Sequence, residues 1–472
     1  MSEDALSQQV QADLDLFAYP EKDWVGATAG PDGTPVHNVV IVGGGQAGLA
    51  TAFGLARERI SGVVVLDENP EGLEGPWITY ARMITLRTLK YLTGPDLGVP
   101  SLTFRRWFEA RYGPDAWAPL VRIDKADWMR YLTWFRQTLN LPVRNNVRLS
   151  LIEPAGHLWA LTVTAPTGPE TILTRQVVLA TGLDGGGGRR IPDFVSGLAK
   201  DVWAHTADAI DFTALAGRRV AVVGGGASAF DNAATALEHG AARVDMFIRR
   251  RAIPQINPYR ALESSGFWRN FPDLDDDMRW RFIHRLMSFP MPAPVDTVQR
   301  VTRHGNAVVH YGAPVLDAAP GTRLRIPSGW HDTDFLIVGT GFTVDLRLRP
   351  EFSRVLPDIA LWSDRYLPGI DRQSAEMGRH PYLGPGFELT GLPLAGLPLG
   401  PGRIRMFNGG AMVSAGPTAT GLNGMPFGLP RLIGHISRDF LRDQAGSLLN
   451  RFEDYDEPDA WEAVGNERGR KP

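Results

Sequence analysis

The sequence predicts an α/β protein built from two Rossmann-like dinucleotide-binding domains, the second inserted in the first. Three observations predict it. The run Val39-Val40-Ile41-Val42 enters the turn Gly43-Gly44-Gly45-Gln46-Ala47-Gly48. The run Val220-Ala221-Val222-Val223 enters a second such turn, Gly224-Gly225-Gly226-Ala227-Ser228-Ala229-Phe230-Asp231. Two further apolar runs, Val177 to Gly182 and Phe335 to Gly341, each end on glycine. A β-branched run without polar alternation is a parallel strand buried on both faces. The order therefore reads as strand, glycine turn and helix, twice over.

Gly43, Gly45 and Gly48 have the G-x-G-x-x-G spacing. The first glycine allows the tight turn, the second lets backbone approach a pyrophosphate, and the third lets helix and strand pack closely. The helix that follows presents free N–H groups and the positive end of its dipole to the phosphates, with Gln46 and Ala47 in its first turn. The next strand, Val63-Val64-Val65-Leu66, ends in Asp67 and Glu68. An acid about 20 residues beyond the glycines is placed to take ribose hydroxyls. In the second copy Gly224, Gly226 and Ala229 fill the small-residue positions. Its following strand ends not in an acid but in Arg249-Arg250-Arg251. Arginine there pairs with a 2′-phosphate, so this site is expected to hold a nicotinamide nucleotide, NADPH in preference to NADH.

In chain order, residues 1–36 read as an amphipathic helix (Val10, Leu14, Phe17) followed by a Pro- and Gly-broken loop that includes Pro20. Residues 37–215 and 331–472 form the first nucleotide domain, and residues 216–330 form the second. Trp77, in Gly75-Pro76-Trp77, follows the acidic strand end and either lies against a bound ring or closes the core. The stretch 78–111 mixes cations and aromatics, from Arg82, Arg87 and Lys90 to Phe104, Trp107 and Phe108. It suits either a small anionic or heteroaromatic ligand or an exposed helix. Residues 123–139 read as a helix, and 143–180 as strands with turns near Gly156 and Gly168. Gly185 to Gly188 reads as a hinge. His205, a lone histidine, is expected to be structural. The aromatic stretch 255–300 is an insertion that is either a lid or extra core. Phe335 to Phe342 is expected to return the chain to the first domain. Pro430 to Leu441 reads as a helix opened by a Gly-rich loop that includes Asn408-Gly409-Gly410, and the tail after 445 is expected to fray.

Composition bounds the rest. The 472 residues carry a formal charge of −3, which argues against nucleic acid or an anionic membrane as partner. No apolar run reaches the ~20 residues of a membrane span, and the acidic N-terminus lacks a leader pattern, so a cytoplasmic protein acting on a small molecule is expected. The composition says nothing of oligomeric state. There are no cysteines, which excludes disulfide reductases with a redox pair, thiolate metal sites and a cysteine nucleophile.

These features, from Gly43 to Phe342, resemble the single-component flavin-containing monooxygenases, a group that includes amine N-hydroxylases and Baeyer–Villiger enzymes. The carriers are the first fingerprint, Asp67, Gly75-Pro76-Trp77, Ala180-Thr181-Gly182, the second fingerprint with Ser228 and Asp231, Arg249, and Gly339-Thr340-Gly341-Phe342. The resemblance implies FAD on the first fingerprint and NADPH on the second. It also implies one oxygen of dioxygen delivered to substrate through a flavin peroxide. Two positions depart from the family. Glu74 replaces a glycine before Trp77, and Arg87 stands where many members have an asparagine. The wording also resembles a bacterial branch of FAD-dependent urate hydroxylases. That would place Arg87 and Lys90 against the peroxide or an anionic substrate. The alternatives are N-hydroxylation or Baeyer–Villiger oxidation, an NAD(P)H dehydrogenase or reductase, and a non-catalytic nucleotide sensor.

Overall fold

A computed structural model describes residues 2–17, 22–91, 94–392 and 403–456. Each fingerprint strand lies inside its own sheet. The first sheet has eight strands, and its main path runs Val143–Arg144, Val63–Leu66, Pro35–Val42, Gly168–Leu179, Leu158–Ala165 and Arg148–Ala155. The long strand Gly168–Leu179 changes partner midway. Its first half closes an antiparallel hairpin with Leu158–Ala165, and Gln176 to Leu179 then runs parallel to Arg403–Met406. Val39, Val40 and Ile41 are fully buried, as a strand covered on both faces requires. The carboxyl ends at Val42, Leu66, Leu179 and Met406 share one edge, the place where open parallel sheets bind ligands.

The second sheet is five-stranded and wholly parallel. Its order is Ala307–Tyr311, Arg243–Ile248, Arg219–Val223, Phe335–Val338, Trp203–His205. Phe335–Val338 was expected to rejoin the first sheet, and instead it pairs with Val220 to Val223. A fully buried run shows that both its faces are covered, but not which sheet covers them. Trp203–His205 likewise joins the second sheet from outside the expected 216–330.

The chain crosses between sheets twice, and the crossings pair with each other. Gly187–Arg189 is antiparallel to Phe342–Val344. The expected hinge at Gly185 to Gly188 is therefore a packed ribbon. A Cβ on Gly187 would stand 2.0 Å from the Thr343 carbonyl, and one on Gly186 would stand 2.6 Å from Gly410 Cα. These glycines serve close backbone approach rather than looseness.

Residues 255–300 form the helices Ser265–Asn270, Asp276–Ser288 and Val295–Thr302. Phe271, Trp280, Ile283 and Leu286 are buried with Trp362, Met377 and Val413 in one cluster. The insertion is therefore core, wedged onto the returning chain of the first unit. The C-terminal helix runs Met425–Glu453, starting before and ending well beyond the expected 430–441. Pro426 occupies its first turn, where a missing N–H costs nothing, and Pro430 is accommodated one turn later. The expected fraying holds for none of 446–453, and residues 457–472 lie outside the described residues, as do Pro20, Thr93 and 393–402. The N-terminal helix Glu3–Leu16 is capped by Ser2 and buries Leu6 and Val10, while Phe17 is exposed. No helix among the described residues is long and apolar enough to cross a membrane.

Candidate active site

The first turn is set by backbone contact. Gly43 has φ 106°, and a Cβ on Gly48 would stand 1.8 Å from the Gly43 carbonyl. Only glycine allows that approach. Nothing stands within 4 Å of where a Gly45 side chain would begin. Gly45 caps the helix Gln46–Arg57 without a side-chain bond, so the first-turn N–H groups stay free for a ligand. Ala47 is buried, and Gln46 Oε1 accepts from Trp128 Nε1 at 3.2 Å. Asp67 is buried at the end of its strand. Its Oδ2 accepts from the Gly44 N–H at 2.7 Å, and its Oδ1 accepts from the Asn69 N–H at 2.8 Å and from Asn69 Nδ2 at 3.0 Å. Each carboxylate oxygen offers two lone pairs, so Oδ2 keeps capacity for a ribose hydroxyl. An open glycine cradle, an uncapped helix start and a fixed acid fit the pyrophosphate and ribose of FAD. Glu68 is turned elsewhere, to Arg148 at 2.9 Å in an exposed pair.

Glu74, the departure from the family pattern, is a buried anchor. It accepts from Arg136 Nη1 (2.9 Å), Asn145 Nδ2 (2.7 Å) and the Gly72 N–H (2.8 Å), which closes the loop beneath Trp77. Trp77 is half-buried, edge-on to Trp128 at 6.3 Å. Gly182 has φ 78° with open space beside it, and Asn408 Nδ2 donates to Thr181 Oγ1 at 3.0 Å on the same edge.

The second turn repeats the device in a more open setting. Gly224 has φ 138°, and its Cβ would strike the Gly339 carbonyl at 2.2 Å. Ala229 is buried against Gly339, whose own Cβ would meet it at 2.7 Å. Gly226 and Ser228 are exposed, as are Arg249 and Arg250 at the carboxyl end of their strand. Partial loss of solvent and the neighbouring Arg249 hold the Arg250 guanidinium below its ordinary range. Gly341 has φ 79° and open space around it.

Between the two turns lies a seam. His205 is fully buried. The Ala207 N–H donates to its Nδ1 at 3.1 Å, which puts the proton on Nε2, and Nε2 donates to the Gly341 carbonyl at 3.1 Å. Burial lowers its pKa, so it is a neutral brace for the Gly341 turn, edge-on to Phe342 at 5.7 Å. The structural reading of this histidine holds. Arg87 Nη2 reaches Asp231 at 2.9 Å, across the seam to the second fingerprint helix Ala227–Glu238. Arg300 approaches the same carboxylate at 3.4 Å. Lys90 turns to the Trp117 and Ala118 carbonyls at 2.7 and 3.1 Å, with the Trp117 ring 4.9 Å away. Arg87 and Lys90 thus serve different partners, and Asp231 serves the two arginines.

Sequence reasoning passed over Arg300 and Lys125, and it named Arg82 without favouring it. Their role depends on contacts between segments far apart in the chain, which no local pattern reports. The cation-rich stretch itself divides in two. Residues 84–86 are extended against 123–125, with the Leu86 N–H on the Ile123 carbonyl at 2.7 Å. Phe104–Tyr112 is a helix that buries Phe104, Trp107 and Phe108.

A FAD-dependent urate hydroxylase of Xanthomonas campestris pv. campestris is 41% identical over 471 residues, which cover 97% of each chain. The chain belongs to the FAD-dependent urate hydroxylase family. The pyridine nucleotide-disulphide oxidoreductase family model matches residues 40–263, although this chain has no cysteine to form a disulfide. Among solved structures, an ornithine hydroxylase from Pseudomonas aeruginosa aligns with TM-score 0.65 at 17% identity, covering 85% of this chain and 99% of that one. An ornithine N-hydroxylase of Kutzneria sp. 744 aligns with TM-score 0.65 at 16% identity over 86% and 100%. These two likenesses establish the flavin monooxygenase fold, two Rossmann-like units with one inserted in the other. The protein is a flavin-dependent oxidoreductase of that fold.

Proposed function

We propose that the protein is an NAD(P)H- and dioxygen-dependent flavoprotein monooxygenase that hydroxylates urate to 5-hydroxyisourate. The observation that carries the substrate is the 41% identity, spread over 97% of the chain, to a urate hydroxylase. The geometry of the two turns supports the cofactors. Gly43, Gly45 and Gly48 with Asp67 would hold the FAD pyrophosphate and ribose. Gly224, Gly226 and Ser228 would hold the NADPH pyrophosphate, and Arg249 and Arg250 its 2′-phosphate.

Bound FAD supplies hydride acceptance from NADPH and the activation of dioxygen. The chain supplies the rest. The glycine turns set how closely each dinucleotide approaches. His205 keeps Gly341 in its left-handed conformation without adding charge. The insertion packs apolar bulk against the returning chain of the first unit. Urate is an anion at neutral pH, so cations in the seam favour its binding and the charge that develops during oxygen transfer. With the cellular NADPH pool as reductant, we place the enzyme in the cytoplasm with small molecules as its partners.

The test follows NADPH and dioxygen consumption by the purified holoenzyme with and without urate, with hydrogen peroxide measured alongside. Urate-stimulated consumption with little peroxide supports the reading. Urate-independent turnover ending in peroxide removes urate as substrate.

A further inference from the structure

The seam holds more positive charge than its carboxylates can balance. Asp231 is shared by Arg87 and Arg300, and Glu238 is taken by Arg300 at 2.7 Å and Arg303 at 2.8 Å. Asp124 caps the helix Lys125–Thr138 by accepting from the Ala126 and Asp127 N–H groups. Arg82 has no carboxylate within ion-pair distance among the described residues. Among the described residues its guanidinium makes one hydrogen bond, from Nη1 to the Thr79 carbonyl at 2.7 Å, and its Nε is buried without a partner. Its guanidinium lies over the Phe212 ring, 5.2 Å from the centroid. Thr79 belongs to the first unit and Phe212 to the core of the second, so Arg82 bridges the seam. Beside it, Lys125 donates to the Ala81 carbonyl and has no carboxylate within ion-pair distance among the described residues, feeling Asp124 and Asp231 only from further off. Burial lowers both groups from their ordinary range, and Arg82 lowers Lys125 further. Half-buried cations with no carboxylate in direct contact favour an incoming anion.

We infer that Arg82, with Lys125 beside it, is the receptor for the anionic edge of a planar heteroaromatic substrate in the seam between the two units. An arginine gives two parallel donors to such an edge, and the buried Phe212 ring backs the guanidinium from the core side. This assignment rests on the monooxygenase reading, and it makes Arg82 rather than Arg87 or Lys90 the residue that selects anionic substrates. The same cations could instead meet a phosphate of the dinucleotide, so the test separates the two.

The experiment compares FAD-loaded wild type, Arg82→Gln and Arg82→Lys, with bound flavin content as the check on folding. Equilibrium dialysis measures urate and NADP⁺ binding to each. Expected are a loss of urate affinity of about tenfold or more in Arg82→Gln, partial recovery in Arg82→Lys, and unchanged NADP⁺ affinity. Loss of NADP⁺ affinity with urate binding intact would overturn the assignment and give the cations to the dinucleotide. Unchanged binding of both would also overturn it. If wild type itself binds no urate, the urate reading fails separately. The same comparison with benzoate, a planar monoanion, then decides: Arg82-dependent binding keeps the receptor, and Arg82-independent or absent binding removes it.

Discussion

The two glycine turns have the same spacing and nearly the same backbone, yet they sit in opposite surroundings. Around the first, the acid is buried and already bonded to Gly44, the loop is closed by Glu74, and the helix packs against the C-terminal helix. Around the second, Gly226, Ser228, Arg249 and Arg250 all face solvent. The difference matches what each cofactor must do if, as proposed, FAD takes the first turn and NADPH the second. A flavin stays through many turnovers and gains from enclosure, whereas a nicotinamide nucleotide must enter and leave in each one. The motif supplies the cradle, and its setting determines how easily a ligand exchanges.

The largest test of this contrast is removal of the buried charge behind the first unit. Arg405 is fully buried in its strand and depends on Asp439 on the C-terminal helix. Asp439→Ala leaves that guanidinium only Glu388, 3.7 Å from its Nη1, and is expected to cost roughly 3 kcal/mol in denaturant unfolding of the holoenzyme. A change within experimental error would show that the first unit is not held as tightly as described.

The second test uses acid. Burial depresses His380 from 6.5 to about 4, and its Nδ1 lies 3.3 Å from the Gly410 carbonyl in the first unit. Below about 6.5 the unfolded chain takes up a proton that the folded chain refuses, so stability rises with pH in this window. The contribution is complete above about 6.5 and is lost as pH falls towards about 4, on the order of 3 kcal/mol in all. Unfolding free energies measured across that range should fall more steeply in wild type than in His380→Gln. Parallel slopes would assign the acid sensitivity to other groups.

The strands, turns and insertion were legible because their signals are local: β-branched runs, glycine spacing and aromatic periodicity. Sheet membership was not. Phe335–Val338 is apolar on both faces, and either sheet could have received it. The candidate nucleotide residues could be named for the same local reason, since Gly45, Asp67 and Arg249 are defined by offset from a strand end. The seam was not legible. Arg87 and Lys90 stood out by position in the chain, but Asp231, over a hundred residues away, and the Trp117 carbonyl decide where their charges go. Arg82 shows its character only through the absence of a carboxylate in ion-pair contact among the described residues, and sequence cannot display an absence of contact.

Two smaller effects sharpen the comparison. Gly45→Ala and Gly226→Ala each place a methyl in open space where a pyrophosphate would approach. The first should lower bound flavin by about tenfold or more, measured as flavin absorbance per protein. The second should leave flavin in place and raise the KM for NADPH by a similar factor. Equal flavin loss in both would erase the distinction between the turns. Replacing Arg249 and Arg250 together by alanine should raise the KM for NADPH about tenfold while leaving that for NADH nearly unchanged, since only the 2′-phosphate distinguishes them. An equal rise for both nucleotides would move the phosphate contact elsewhere.

The central claim is that one atom of dioxygen passes to urate. The direct measurement is mass spectrometry of the urate product formed by the holoenzyme with NADPH under isotopically heavy dioxygen. One heavy oxygen atom per product molecule, formed in step with NADPH consumed, is the result expected. A product with oxygen only from water, or heavy oxygen recovered only as peroxide, would contradict it.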